Sequence, residues 1–147
     1  RNVVQGGKIH PMGMRGMATS RQGLDVDDFY RKANDETMLI VLIEDIIAIE
    51  NIEEIVQVEG IDVFFIANGD LSQSMGLLGQ HRHPDVLAAA NRGYDAILGA
   101  GRTAGALVTD ATVDEYLERG CRFLSTPWMQ WLNPGMGAFI DKIDRAS

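Results

Sequence analysis

The chain has 147 residues, 46% of them hydrophobic and 23% charged, a balance that excludes a disordered polymer and a coiled coil and suits one domain with a real core. Thirteen basic against 21 acidic side chains leave a net charge of −8, which excludes a basic nucleic-acid footprint and a polybasic membrane surface. Cys121 is the only cysteine, so neither an intrachain disulfide framework nor a cysteine zinc cluster can form, and a reducing cytoplasm is the expected compartment.

An irregular Gly- and Met-rich stretch opens the chain, and a helix is expected over 26–35. Residues 38–43 form the longest apolar run, bounded by Glu44, and read as a strand buried on both faces. That run is far short of the roughly 20 residues of a membrane-spanning helix. Ile46, Ile49, Ile52, Ile55 and Val56 then fall at helical spacing, with Glu50, Glu53 and Glu54 turned outward and Gly60 as the stop. Residues 63–66 are the second buried strand, and a loop rich in Gly, Ser and His is expected over 67–82. Pro84 suits a first helical position, and Val86, Leu87, Ala90, Tyr94, Ile97 and Leu98 make the apolar face of a helix ending near 99–101. Further strands are expected at 103–108 and 121–126, with helices at 112–119 and 135–145.

Strand–helix alternation repeated four times means parallel βα units. Four units do not close a (β/α)₈ barrel, which typically needs about 250 residues. The pattern therefore fits either the back half of such a barrel or a small self-contained α/β sandwich. The chain opens on Arg1 rather than Met, with no signal peptide in its first ten residues, so residues upstream are expected.

Two carboxylates follow strands directly, Glu44 after the first and Asp70 four residues beyond Ile66. In parallel α/β folds the carboxyl ends of the strands form the site face, and a pair of carboxylates there suits a hard divalent ion. The other reading is that Glu44 and Asp70 cap the helices that follow them. Gly69 lets the backbone approach a ligand, and the amides of Gly69 and Asp70 are candidates to receive a carboxylate. Cys121 has no partner base, and the 99–101 turn lacks a dinucleotide fingerprint, so both read as structural.

Several segments stand in the order and spacing of one family. They are Leu42-Ile43-Glu44, Asn51-Ile52-Glu53-Glu54-Ile55, Val58-Glu59-Gly60-Ile61-Asp62-Val63-Phe64-Phe65-Ile66, Asp70-Leu71-Ser72-Gln73-Ser74-Met75-Gly76 and His83-Pro84-Asp85-Val86. Pro11-Met12-Gly13-Met14-Arg15-Gly16 and Ala33-Asn34-Asp35 extend the match. Together they resemble the HpcH/HpaI aldolases, metal-dependent class II enzymes that cleave hydroxy-oxo acids to pyruvate and an aldehyde, over about residues 3–132. The family usually has Gly-Pro-x-Asp where this chain has Ala67-Asn68-Gly69-Asp70, and often a Gln where this chain has Leu42.

The resemblance implies a pyruvate-type (β/α)₈ barrel, with residues 1–147 as the C-terminal part of one barrel domain whose N-terminal half is absent. It implies a divalent ion (Mg²⁺, Mn²⁺ or Co²⁺) held by Glu44 and Asp70, acting as a Lewis acid on pyruvate. It places the substrate against Ala67, Asn68, Gly69, Asp70, Leu42 and Pro11, with Met12 beside Pro11. The catalytic His and the keto-polarising Arg of the family are expected upstream, since His10, His81 and His83 do not occupy those motif positions. A cytoplasmic homo-oligomer acting on a 2-oxo acid and an aldehyde, with no nucleic-acid or membrane partner, completes the expectation. The alternative is a half-barrel that binds a 2-oxo acid without turning it over.

Overall fold

Four of the apolar runs become strands, β1 (Ile40–Ile43), β2 (Val63–Ile66), β3 (Thr103–Leu107) and β4 (Phe123–Ser125), in a computed structural model that describes residues 1–17 and 21–145. The strands are parallel and lie side by side in sequence order. The helices are α1 (Asn2–Gly7), α2 (Phe29–Glu36), α3 (Ile46–Glu50), α4 (Ile52–Ile55), α5 (Asn68–Ser74), α6 (Pro84–Gly99), α7 (Val113–Arg119) and α8 (Met129–Asp144). The expected upstream helix is thus α2, beginning three residues later, and the stretch before it holds α1 and a 3₁₀ turn, Arg21–Gly23; residues 18–20 of that stretch lie outside the described residues.

The register sorts the side chains into two faces. Ile43, Ile66, Ala106 and Leu124 stand side by side across the four strands and pack under the helices, with Ile49, Ile52, Val86, Ala90, Tyr94 and Ile97. The neighbouring row, Leu42, Phe65, Gly105 and Phe123, points to the other face, because successive side chains alternate across a strand. There β1 departs from the expectation of burial on both sides: Ile40 and Leu42 are 41% and 57% exposed. The described helices that cover the sheet lie on its other side. Gly105 lets the flanking rings meet, since a Cβ there would stand 2.7 Å from Phe65 Cδ2, and the Phe65 and Phe123 rings pack edge-on at 6.3 Å.

Other differences from the predicted elements have local causes. The single helix expected from Ile46 onward is broken at Asn51, whose side chain donates to Ile47 O at 2.7 Å and so competes with the helix ladder. Gly60 does not end that helix; it turns at φ +80° just before β2. The first half of the expected 67–82 loop is helix α5, where burial of Leu71 and Ser72 outweighs the weak propensity of Gly and Ser. Helix α8 begins six residues before position 135 and carries Pro134 inside it. Its first turn is tied down by Gln130, whose side-chain amide donates to Thr126 Oγ1, and by Trp131, whose Nε1 donates to the Asp110 carboxylate at 3.0 Å.

Two distant contacts stiffen the frame. Lys8 is buried, and its Nζ donates to Asn34 O and Thr37 O at the C-terminal end of α2, while the Asn34 side chain bonds both Ile9 N and Ile9 O. Gly13 follows in a turn where a Cβ would lie 2.2 Å from Lys8 O, so only glycine fits. Arg102, entering β3, spreads its guanidinium over the carbonyls of Val56, Val58 and Ile61.

Candidate functional site

In a parallel sheet all strands end on one side, so the segments after β1 and β2 are neighbours. Glu44 is the first residue after β1 and is half-buried. The cap of α3 is its neighbour Asp45, whose carboxylate accepts from Ile47 N at 2.8 Å. After β2 the chain turns at Ala67 into α5, which has no side-chain cap, and Asp70 lies exposed in its first turn. Neither Glu44 nor Asp70 is therefore a helix cap, and neither forms a hydrogen bond or ion pair with another described residue.

The backbone between them is open. The first amide of α5 to close onto a carbonyl is that of Leu71, onto Ala67 O at 2.9 Å, so the amides of Asn68, Gly69 and Asp70 precede the helical ladder. A Cβ on Gly69 would meet nothing within 4 Å, which leaves that stretch of chain bare.

A cleft of about 720 Å³ runs from this turn down the uncovered face of the sheet. Leu42, Phe65, Leu107 and Phe123 form its apolar floor, and Ala67, Asn68, Gly69 and Asp70 stand together along it. His81 and Arg82 line it from the loop after α5, and Thr109, Thr112, Glu115 and Tyr116 from the β3–α7 side. Glu44 and Pro11 are not among its lining residues; Pro11 follows a cis peptide bond in the exposed turn at 10–12. A depression of about 880 Å³ beside α1 and α4 is lined by Arg1, Gln5 and Glu54 and lies away from the turn that carries Asp70.

Of the remaining candidates, His83 is the N-cap of α6, its Nδ1 accepting from Asp85 N at 3.2 Å, and Arg15 reaches Thr37 Oγ1 at 3.5 Å in the loop it stabilises. Cys121 is fully buried, and burial raises its thiol pKa. Sequence reasoning passed over Tyr116 and treated Tyr94 as core, because an aromatic at helical spacing is indistinguishable from packing. In the structure the two rings pack edge-on with centroids 5.6 Å apart, and both residues line the cleft together with Asn68. Desolvation raises both phenol pKa values, and Glu115 adds to the effect at Tyr116.

The donor chemistry of the turn fits a hard cation. Two unengaged carboxylates match the way Mg²⁺ is commonly held, by one or two carboxylates with water and substrate oxygens completing the shell. Among the described residues no cluster of three or more His, Cys, Asp or Glu could hold a metal by protein ligands alone. No described helix is long and apolar enough to cross a membrane.

The profile of the family described as HpcH/HpaI aldolase/citrate lyase matches residues 1–128. A hydroxypyruvate/pyruvate aldolase of Cupriavidus necator is 38% identical over 131 residues, 86% of this chain and 49% of that protein. A 4-hydroxy-2-oxo-heptane-1,7-dioate aldolase of Shigella sonnei is 35% identical over 130 residues, 85% of this chain and 50% of that protein. The crystal structure of an HpcH/HpaI aldolase/citrate lyase family protein from Burkholderia cenocepacia J2315 superposes with a TM-score of 0.80 at 27% identity, covering 96% of this chain and 58% of that one. The chain spans about half the length of the curated relatives it matches.

Proposed function

The chain belongs to the HpcH/HpaI aldolase/citrate lyase family, and on that premise we propose that it carries the metal and pyruvate side of a class II aldolase site. Its four parallel βα units are part of a (β/α)₈ barrel. The reaction is reversible cleavage of a 4-hydroxy-2-oxo acid to pyruvate and an aldehyde. In this reading residues 1–147 are the C-terminal portion of one barrel domain. The general-base His and the Arg that polarises the keto group come from a segment other than residues 1–147. By resemblance the whole protein is a cytoplasmic homo-oligomer.

The observation that carries the proposal is the division of labour after β1: Asp45 takes the helix cap and leaves Glu44 unengaged, as Asp70 is left after β2. Glu44 and Asp70 hold a divalent ion, Mg²⁺, Mn²⁺ or Co²⁺. When bound, the ion supplies Lewis-acid stabilisation of negative charge developing at the pyruvate keto oxygen. The Gly69 and Asp70 amides receive the pyruvate carboxylate. Ala67 and Asn68 shape that turn, and the Leu42 and Phe65 side chains keep the methyl end of pyruvate in an apolar setting.

The test joins Mn²⁺ titration with exchange of the pyruvate methyl protons in deuterated water, carried out on the whole protein that supplies the general base. Asp70→Ala and Glu44→Gln are each expected to weaken Mn²⁺ binding by at least roughly tenfold, since even altering the partners of metal ligands costs that much. Thermal midpoints stay unchanged, because neither carboxylate has a protein partner to lose. Proton exchange that a chelator abolishes supports the aldolase. Mn²⁺ binding untouched by both substitutions overturns the site. Pyruvate binding without exchange favours the non-catalytic 2-oxo-acid module, the reading that Leu42 in place of a polar contact suggests.

A further inference from the structure

We propose that Ser74 is a positioning residue for the two carboxylates: from the last turn of α5 its hydroxyl clasps the start of α3 and so sets Asp70 against Glu44. The inference rests on Glu44 and Asp70 being metal donors, as proposed above, and adds the residue that holds their spacing.

A hard cation shared by two carboxylates needs the segments that carry them held at one separation. The sheet holds them only so far. Ile43 pairs with Ile66 at the ends of β1 and β2, and Ala67 N donates to Ile43 O at 3.2 Å, one residue further on. Glu44 then leads into α3, and Asp70 stands in α5. Within α5 the Ser72 hydroxyl donates to Gly69 O at 2.6 Å and Leu71 is fully buried, which seats the helix on its own backbone and on the core. Past Ala67, a single hydrogen bond among the described residues joins the two segments: Ile46 N donates to Ser74 Oγ at 2.9 Å.

The amides of α3 show why this bond is made. Asp45 caps the helix: its carboxylate accepts from Ile47 N, and its carbonyl accepts from Ala48 N at 2.9 Å and Ile49 N at 3.1 Å. Ile46 N is the first-turn amide that the cap leaves over, and Ser74 takes it from another helix. The Ser74 O–H donates to Leu71 O at 3.1 Å, which leaves the oxygen's lone pairs to accept from Ile46.

Ser74 stands four residues after Asp70, so the two share one face of α5. The bond to Ile46 shows that this face is turned to the segment that begins with Glu44. Serine is a weaker helix former than alanine, and at this exposed position the bond across to α3 is what the hydroxyl adds.

The experiment combines amide hydrogen exchange with Mn²⁺ titration on the whole protein, with the β3 amides reporting overall stability. Ser74→Ala should speed exchange of the Ile46 amide about fivefold relative to β3, the equivalent of one neutral hydrogen bond, and weaken Mn²⁺ binding by about the same factor. The thermal midpoint should change little, because the lost bond and the gained helix propensity oppose one another. Ser74→Thr keeps the hydroxyl and should restore both readouts. In the Asp70→Ala background no second carboxylate remains to be spaced, so Ser74→Ala should leave Mn²⁺ affinity unchanged. Mn²⁺ affinity that responds to Asp70→Ala and Glu44→Gln but not to Ser74→Ala overturns the positioning role alone. A Ser74→Ala loss that persists in full in the Asp70→Ala background does the same. Ile46 exchange unchanged relative to β3 in Ser74→Ala overturns the clasp itself. Mn²⁺ binding indifferent to both Asp70→Ala and Glu44→Gln refutes the metal reading and the positioning role with it, whether or not Ile46 exchange upholds the clasp.

Discussion

Replacing Arg102 with Met tests how the helix–strand connections before β2 are held. The guanidinium donates through Nη1 to Val56 O at 2.7 Å and through Nη2 to Ile61 O at 2.6 Å, with longer contacts of 3.3 and 3.4 Å to Val58 O. It also lies 5.0 Å from the Phe64 ring centroid. The three carbonyls follow α4 in the turn leading into β2, where no helix or strand partner satisfies them. Two good hydrogen bonds from a charged donor contribute about 1.5–3 kcal/mol each, and stacking on Phe64 adds about 0.5–1 kcal/mol. Met keeps the aliphatic bulk but loses the donors and the cation stacking, so the expected loss is about 3.5–7 kcal/mol. At roughly 2–4 °C per kcal/mol for a chain of this size, the thermal midpoint should fall by roughly 7–28 °C. Arg102→Lys should recover only part of this, because an ammonium cannot span the carbonyls as a fork does. Urea unfolding with an unchanged m-value is the assay. A loss below about 1 kcal/mol, or a Lys variant equal to wild type, would refute the assignment.

Two further outcomes follow from packing and burial. Gly105→Ala drives a Cβ to 2.7 Å from Phe65 Cδ2 and 3.0 Å from Val63 Cγ1, and should cost about 1–3 kcal/mol in urea unfolding; a neutral substitution would show that the Phe65–Phe123 pair can shift freely. Burial raises the pKa values of Cys121, Tyr94 and Tyr116 above their ordinary 9.0, 10.0 and 10.0. The folded state then holds protons that the unfolded state has released, so this stabilisation is complete below about pH 9 and is lost as the pH rises further. Denaturant midpoints measured between pH 8 and 11 should fall, and fall less steeply for Tyr94→Phe and Cys121→Ala. A flat profile contradicts the burial of these groups.

Much of the architecture is legible in local pattern. The apolar runs at 38–43 and 63–66 and the helical face from Val86 to Leu98 announce β1, β2 and α6 because periodicity and chain punctuation act over a few residues. The placement of Glu44 and Asp70 at the ends of adjacent strands follows from the same alternation. Contacts between distant segments decided the rest. Both Glu44 and Asp45 stand where a cap is possible, and the backbone at Ile47 chose Asp45. The Gly- and Ser-containing stretch after Ala67 became helix because Leu71 and Ser72 had a core to enter. Ile40 and Leu42 face a cleft although their strand reads as wholly buried, because a strand's pattern records which residues are apolar and not how many layers cover them. Tyr94 and Tyr116 look like packing in sequence; only the meeting of α6 and α7 sets their rings edge-on along the cleft, since a contact between residues far apart in the chain leaves no local signature.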